Sequence, residues 1–254
     1  MARKADLRLL REGTVINVTS KKQEAQVILA LKEVVERLRR EFQVQLHHKP
    51  LWLVKEIVAL LKKQFPDVDF FHYLDTSSIR PDGGVLSILD EHGNEFPILI
   101  PEKKNQGTND ARLLEGLKRQ AQGNAIERLG KNVIGLKTAL LSEGIFPFVC
   151  FGDGCDFFEG SKSDKPSSIL DRVVTIAMFG HLNKTYLHPQ GSNKEFLRGS
   201  FYFREKEWTK SEMRDVMYDI AKRSIQYYFS KYGEETFAKK RQAAEQEVRG
   251  SKSQ

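Results

Sequence analysis

The sequence holds only two cysteines, Cys150 and Cys155, in 254 residues. They stand too far apart for a C-x-x-C pair, and no second pair exists to complete a zinc site. They read as reduced, structural thiols of a cytoplasmic protein. No apolar run approaches the roughly 18 residues that a membrane span needs, and the opening Met1 to Asp6 is charged where a signal segment would be apolar. These absences predict a soluble protein that is neither exported nor held in a membrane. Internal repeats are absent as well.

What is present is a basic balance. Lysines and arginines number 41 against 34 acidic residues, a formal charge of +7 with a pI near 9.3. This favours a polyanionic partner such as nucleic acid or an anionic surface, without naming one. The length suits one substantial core, so residues 1–254 read as a single domain. Residues 1–21 lack a sustained period and read as an irregular or partly stranded N-terminal arm; the charged stretch 239–254 reads as a frayed tail.

Between these ends helices alternate with strands, which predicts an α/β fold with a mixed central β-sheet flanked by helices. Helical spacing runs from Lys22 to Phe42 through Val27, Leu31, Val34 and Leu38, and from Leu51 to Phe65 through Val54, Ile57, Val58 and Leu61. Val68 to Leu74 reads as a strand or extended lead-in. Val85 to Leu89 and Phe96 to Ile100 read as an antiparallel hairpin around Glu91 to Asn94. Helices are expected over 110–121, 125–141 and 168–179, with a loop over 153–168. Ile145 to Phe151 is apolar throughout, as in a sheet interior, Phe201 to Phe203 is a further strand, and Thr209 to Phe229 a helix.

The chemistry concentrates between Arg80 and Arg128. Glu102 and Lys104 are two apart on a predicted strand and so project from one face. Asp82 enters the hairpin from the other side. If Asp90 pairs with Glu95, Asp82 falls opposite Lys103, on the wrong face, and a site requires a one-residue shift from a three-residue loop or a bulge at Gly83-Gly84. Two carboxylates meeting there suit Mg²⁺, a hard cation that prefers oxygen ligands, and Lys104 would orient a water or stabilise a phosphoryl transition state. The same residues also fit an ordinary turn beside a solvated strand end, because such triples arise by accident. Asn124, three residues before Glu127, reads as a capping-box start. Asn124 and Arg128 also share a helical face and are side-chain types that pair with base edges in the major groove; spacing leaves both readings open.

Three segments then resemble, in order and spacing, type II restriction endonucleases of the EcoRI family: Ser78 to Gly84, Glu102 to Gly107, and Gly123 to Arg128 with Lys131-Asn132. The likeness continues through Leu141 to Glu143 and Phe146-Pro147. It implies the restriction-endonuclease-like fold and a PD…(D/E)xK site in which Asp82 and Glu102 bind Mg²⁺ and Lys104 is catalytic. It also implies that Asn124, Ala125 and Arg128, braced by Glu127, read the inner AATT of a palindrome, and Arg172 resembles a second base-contacting arginine region. Lys103 departs from the small residue usual between the acid and the lysine, and its side chain is expected to point away from the metal. Gln120 to Gln122 also departs from the pattern and leaves the outer base pair unassigned.

The implied function is a Mg²⁺-dependent, site-specific endonuclease acting on double-stranded DNA as a homodimer in the cytoplasm. A cognate DNA methyltransferase is expected in the same system, without a stable complex. Two other classes share these residues: a DNA-binding protein that reads AATT without cutting, and a repair nuclease that acts on DNA structure. The filled catalytic positions oppose the first and the base-reading hexapeptide opposes the second.

Overall fold

The computed structural model describes residues 15–105, 116, 123–154, 199–204 and 206–237. In chain order these form helix α1 (Val15–Phe42), strands β1 (Leu46–Lys49) and β2 (Trp52–Leu53), helix α2 (Val54–Gln64), and strands β3 (Ser78–Ile79), β4 (Val85–Leu89) and β5 (Glu95–Asn105). Helix α3 (Gly123–Ala139), strands β6 (Phe148–Asp153) and β7 (Ser200–Arg204) and helix α4 (Lys210–Tyr232) follow. Five strands make one mixed sheet in the order β1-β4-β5-β6-β7. The β1–β4 and β4–β5 pairs are antiparallel, and the β5–β6 and β6–β7 pairs are parallel. Among the described helices none is long and apolar enough to cross a membrane.

Alternation along the strands explains why helices cover both faces. Val149 and Phe151 of β6 turn toward α1 and α4, packing with Val27, Val34, Leu38, Met213, Met217 and Ile225. Phe148 and Cys150 turn the other way, toward Ile57 and Leu61 of α2 and Leu129, Val133 and Leu136 of α3. All six residues of β6 are therefore buried, which is why its sequence is apolar without alternation. Each such side chain contributes about 1.5–3 kcal/mol when fully removed from water. Helix α4 starts on a capping box in which the Thr209 hydroxyl accepts from the Glu212 N–H and Glu212 in turn accepts from the Thr209 N–H.

Several boundaries differ from the sequence reading. Helix α1 begins at Val15, inside the expected arm; the stretch from Val15 to Thr19, β-branched except at Asn17, has low helix propensity and precedes the apolar stripe, so it carries no helical signature. Trp52 and Leu53 pair with Ile79 and Ser78 and delay α2 to Val54. Val68 to Leu74 forms no strand: Phe71 and Tyr73 are exposed and meet edge to face. Of the helix expected over 110–121 only Gly116 is described, and its φ of +69° does not fit a helix interior. The expected helix over 168–179, most of the loop over 153–168, Cys155, Arg172 and the tail lie outside the described residues.

The feature of the fold that shapes the site is an overhang. β4 stops at Val85, whereas β5 continues to Asn105, and the turn Pro81–Gly84 lies against the exposed edge of that continuation. The Gly84 N–H closes the turn on the Pro81 carbonyl at 3.0 Å, and the Gly83 N–H donates to the Pro101 carbonyl at 2.9 Å. From β1, the His48 Nε2–H donates to the Gly83 carbonyl at 2.8 Å. Gly84 has φ +70°, and a Cβ there would sit 2.3 Å from the Lys49 carbonyl oxygen. Gly84→Ala is therefore expected to lower the unfolding free energy by roughly 1–3 kcal/mol, the scale of a strained left-handed residue, before any repacking. Urea unfolding of the variant checks this; an unchanged midpoint would contradict the close packing of the turn on β1.

Candidate active site

Asp82 and Glu102 hold each other through the backbone. The Asp82 N–H donates to Glu102 Oε2 at 3.0 Å, and the Lys103 N–H donates to Asp82 Oδ2 at 2.9 Å. The exchange links the turn to β5 twice and fixes both carboxylates at one spot. Lys104 Nζ lies 3.1 Å from the same Asp82 oxygen and also contacts Glu102 Oε1. All three residues singled out in the sequence thus converge.

They converge by a different route from the expected shift. The hairpin pairs Leu89 with Glu95, and a bulge between the Leu86 and Ser87 rows skips Ile98, so that Leu86 faces Leu99. Beyond the bulge the register is the one an Asp90–Glu95 pairing would have given, level with Lys103 at Asp82. No further shift at Gly83-Gly84 is needed, because Asp82 lies past the end of β4. In a turn its side chain is released from strand alternation and bends toward the Glu102 face.

The electrostatics are unbalanced. Glu102 is 1% exposed, and burial pushes its carboxyl above the usual glutamate range; Asp82 adds to the rise and Lys104 opposes it. Burial works against the charge on Lys104, but Glu102 and Asp82 overcome it and hold the ammonium protonated well above its ordinary range. Two carboxylates facing one ammonium leave a net negative site, which a hard cation would neutralise. No cluster of three or more His, Cys, Asp or Glu side chains able to hold a metal occurs among the described residues. A donor set of two carboxylates fits a cation that keeps water and phosphate oxygens in its remaining positions, as Mg²⁺ does.

The floor of the site comes from β6, where Cys150 pairs with Glu102 in the ladder. Its thiol is fully buried and burial pushes it far up, so it acts as a neutral apolar surface. Sequence reading assigned it no place near the site. Lys103 behaves as its alternation predicts: its side chain leaves on the opposite face, where its ammonium bonds Asp153. Burial lowers Lys103 to about 8. Asp153 and His48 were both missed, since neither lies in a motif and each reaches the site only through tertiary contacts.

The proposed reading element lies on α3, on the Glu102 side of the sheet, with Leu129 and Val133 buried beneath it. The helix opens at Gly123, so Asn124 stands inside its first turn and is not the residue preceding it, as the capping reading required. A helix starting two residues earlier than a cap motif implies is an ordinary boundary difference. Arg128 is exposed. The side chains of Asn124, Ala125 and Glu127 lie outside the described residues.

The raised Glu102 value has a consequence for stability. Its proton is held more tightly in the folded chain than in the unfolded one, so the contribution is full below the unfolded glutamate pKa and is lost as pH rises through the folded one. Glu102→Gln removes that loss. The wild-type unfolding midpoint should therefore decline relative to that of Glu102→Gln as pH rises through the acid range, in metal-free buffer. Parallel profiles would contradict the burial of a charged Glu102.

The family profile described as restriction endonuclease EcoRI matches residues 12–235. The chain is 33% identical over 180 residues to the type II restriction enzyme RsrI of Cereibacter sphaeroides, covering 60% of this chain and 65% of that enzyme. It is 32% identical over 201 residues to the type II restriction enzyme EcoRI of Escherichia coli, covering 67% of this chain and 72% of that enzyme. The chain thus matches about two thirds of each relative's length. With the profile spanning the turn, β5, α3 and β6, the chain belongs to the EcoRI restriction endonuclease family.

Proposed function

We propose that this chain is a Mg²⁺-dependent, site-specific endonuclease of double-stranded DNA, cutting a palindrome with an AATT core as a homodimer. The observation that carries the reading is the meeting of Asp82, Glu102 and Lys104 at the end of β5. It is supported by the family and by both relatives being type II restriction enzymes. A single nuclease domain over residues 1–254, a cytoplasmic location and a cognate DNA methyltransferase in the same system belong to the same reading.

Asp82 and Glu102 would hold the metal. When bound, Mg²⁺ makes a coordinated water easier to deprotonate and offsets charge on the phosphoryl oxygens. Lys104 would place its ammonium beside the scissile phosphate, where it orients the attacking water and stabilises developing negative charge. Cys150 and the surrounding apolar side chains keep the inner side of Glu102 dry, which strengthens each of these interactions. Glu102 would have to give up the proton that burial favours in order to hold the metal, so cleavage is expected to fall at acid pH and to recover there as metal concentration rises.

Specificity is assigned to α3. A site read and cut symmetrically needs two copies related by a two-fold axis, with one Gly123 to Arg128 element for each half-site. Asn124 and Arg128 would form paired hydrogen bonds with base edges, Ala125 would make an apolar contact, and Glu127 would brace the pair. Arg172 would supply a further base contact.

The test separates chemistry from reading. Plasmid cleavage with Mg²⁺ should fall at least about a hundredfold in Asp82→Ala and Lys104→Ala, while binding to AATT-centred duplexes persists. Asn124→Ala and Arg128→Ala should instead lose roughly 1–3 kcal/mol of discrimination per half-site, removed twice by symmetry. Competition binding against duplexes with altered centres measures the second effect. Full cleavage by Asp82→Ala would sink the metal-site assignment, and an undiminished AATT preference in the α3 variants would sink the reading role.

A further inference from the structure

We propose that the buried Lys103–Asp153 ion pair is a positioning device that sets Glu102 and Lys104 from the opposite face of β5; this rests on the nuclease reading above. Lys103 stands between the two site residues, and its side chain is 2% exposed against 1% for Asp153. Lys103 faces Phe151 across the parallel ladder, and Asn105 faces Asp153. The pair therefore runs diagonally over one face of the sheet, from β5 to the end of β6.

Asp153 draws two segments, β5 and the start of α4, onto the end of β6. One carboxylate oxygen accepts from Lys103 and from the Trp208 N–H at 3.0 Å, and the other accepts from Asn105 Nδ2 at 2.8 Å. Trp208 immediately precedes the Thr209 cap of α4, and its indole N–H donates to the Gly152 carbonyl at 3.0 Å. The Arg204 guanidinium lies 3.8 Å from the centre of the Trp208 ring and is itself paired with Glu212. The last residues of β5 are thereby tied to β6 and to the start of α4.

Stability does not explain such a pair. Desolvating two charges costs several kcal/mol, and well-packed apolar residues of the same size often serve as well. What an ion pair adds over an apolar contact is direction. The need for direction is local: past Leu86–Leu99 the β5 strand has no ladder with β4, only the turn and its carboxylate exchange. A strand paired fully on one side alone can twist at its free end, and Glu102 and Lys104 sit at that end. Fixing Lys103 on the far face fixes the orientation of its two neighbours on the near face, because successive side chains alternate about one rigid backbone. Supports of this kind behind metal ligands are typically worth 10- to 100-fold in metal affinity or activity.

The test uses the full chain and Mn²⁺ alone, with Asp82→Ala defining the binding that depends on the site. The paired variant Lys103→Met/Asp153→Asn removes both charges while keeping an amide oxygen for Trp208 or Asn105. We expect it to fold with a cooperative thermal transition, to bind Mn²⁺ about tenfold more weakly, and to cut plasmid DNA more slowly at saturating metal. Lys103→Arg, which keeps the ion pair, should retain most of the Mn²⁺ affinity. Asp153→Glu keeps both charges but moves the carboxylate by one methylene; it too should weaken Mn²⁺, and it carries the test if the neutral pair does not fold. Wild-type Mn²⁺ affinity in the folded paired variant, or in Asp153→Glu, would overturn the positioning role. Absence of Asp82-dependent Mn²⁺ binding in the wild type would overturn the nuclease reading itself, and this inference with it.

Discussion

The site depends on the exchange of backbone hydrogen bonds between Asp82 and Glu102. Each carboxylate accepts an N–H from the other's segment, so neither can move without breaking the link between the turn and β5. Two carboxylates held this close repel each other, and Lys104 offsets only one of the charges. The fold therefore maintains an electrostatic imbalance at the end of a strand, and maintains it in a region from which water is largely excluded. Sites of that kind are where charge developing in a reaction, or a cation recruited to it, is felt most strongly.

Everything around the exchange serves to keep it in place. β1 reaches over with His48 to hold the Gly83 carbonyl, and Gly83 and Gly84 permit a contact that any Cβ would obstruct. β6 lies under Glu102 with Cys150, on the face covered by α2 and α3. The opposite face, covered by α1 and α4, receives Lys103 and carries the charged corner at Asp153. A strand with a site on one face and its anchorage on the other separates the two tasks by the alternation of side chains alone.

Much of this was legible in the sequence. The hairpin from Val85 to Ile100, the apolar β6, the α4 helix and the shared face of Glu102 and Lys104 all follow from period and spacing, because burial decides which positions are apolar. The strand Leu46 to Lys49 was not legible, since an edge strand with two histidines and a lysine shows no apolar pattern. The placement of Asp82 was half legible: its ladder level was right, but where β4 ends depends on packing against β1 and not on local propensity. The partnership of Lys103 with Asp153 links residues far apart in sequence, and nothing in either segment announces the other.

Under the proposed function one chain combines a metal-dependent cutting site with a symmetric reader of AATT-centred DNA. Sequencing the ends produced when the purified protein digests a long duplex in Mg²⁺ tests both halves together. All breaks are expected to fall at one palindromic sequence with AATT at its centre, placed symmetrically in the two strands and abolished by chelation. Breaks scattered over many sequences, ends that follow DNA structure, or cleavage that persists in chelator would contradict it.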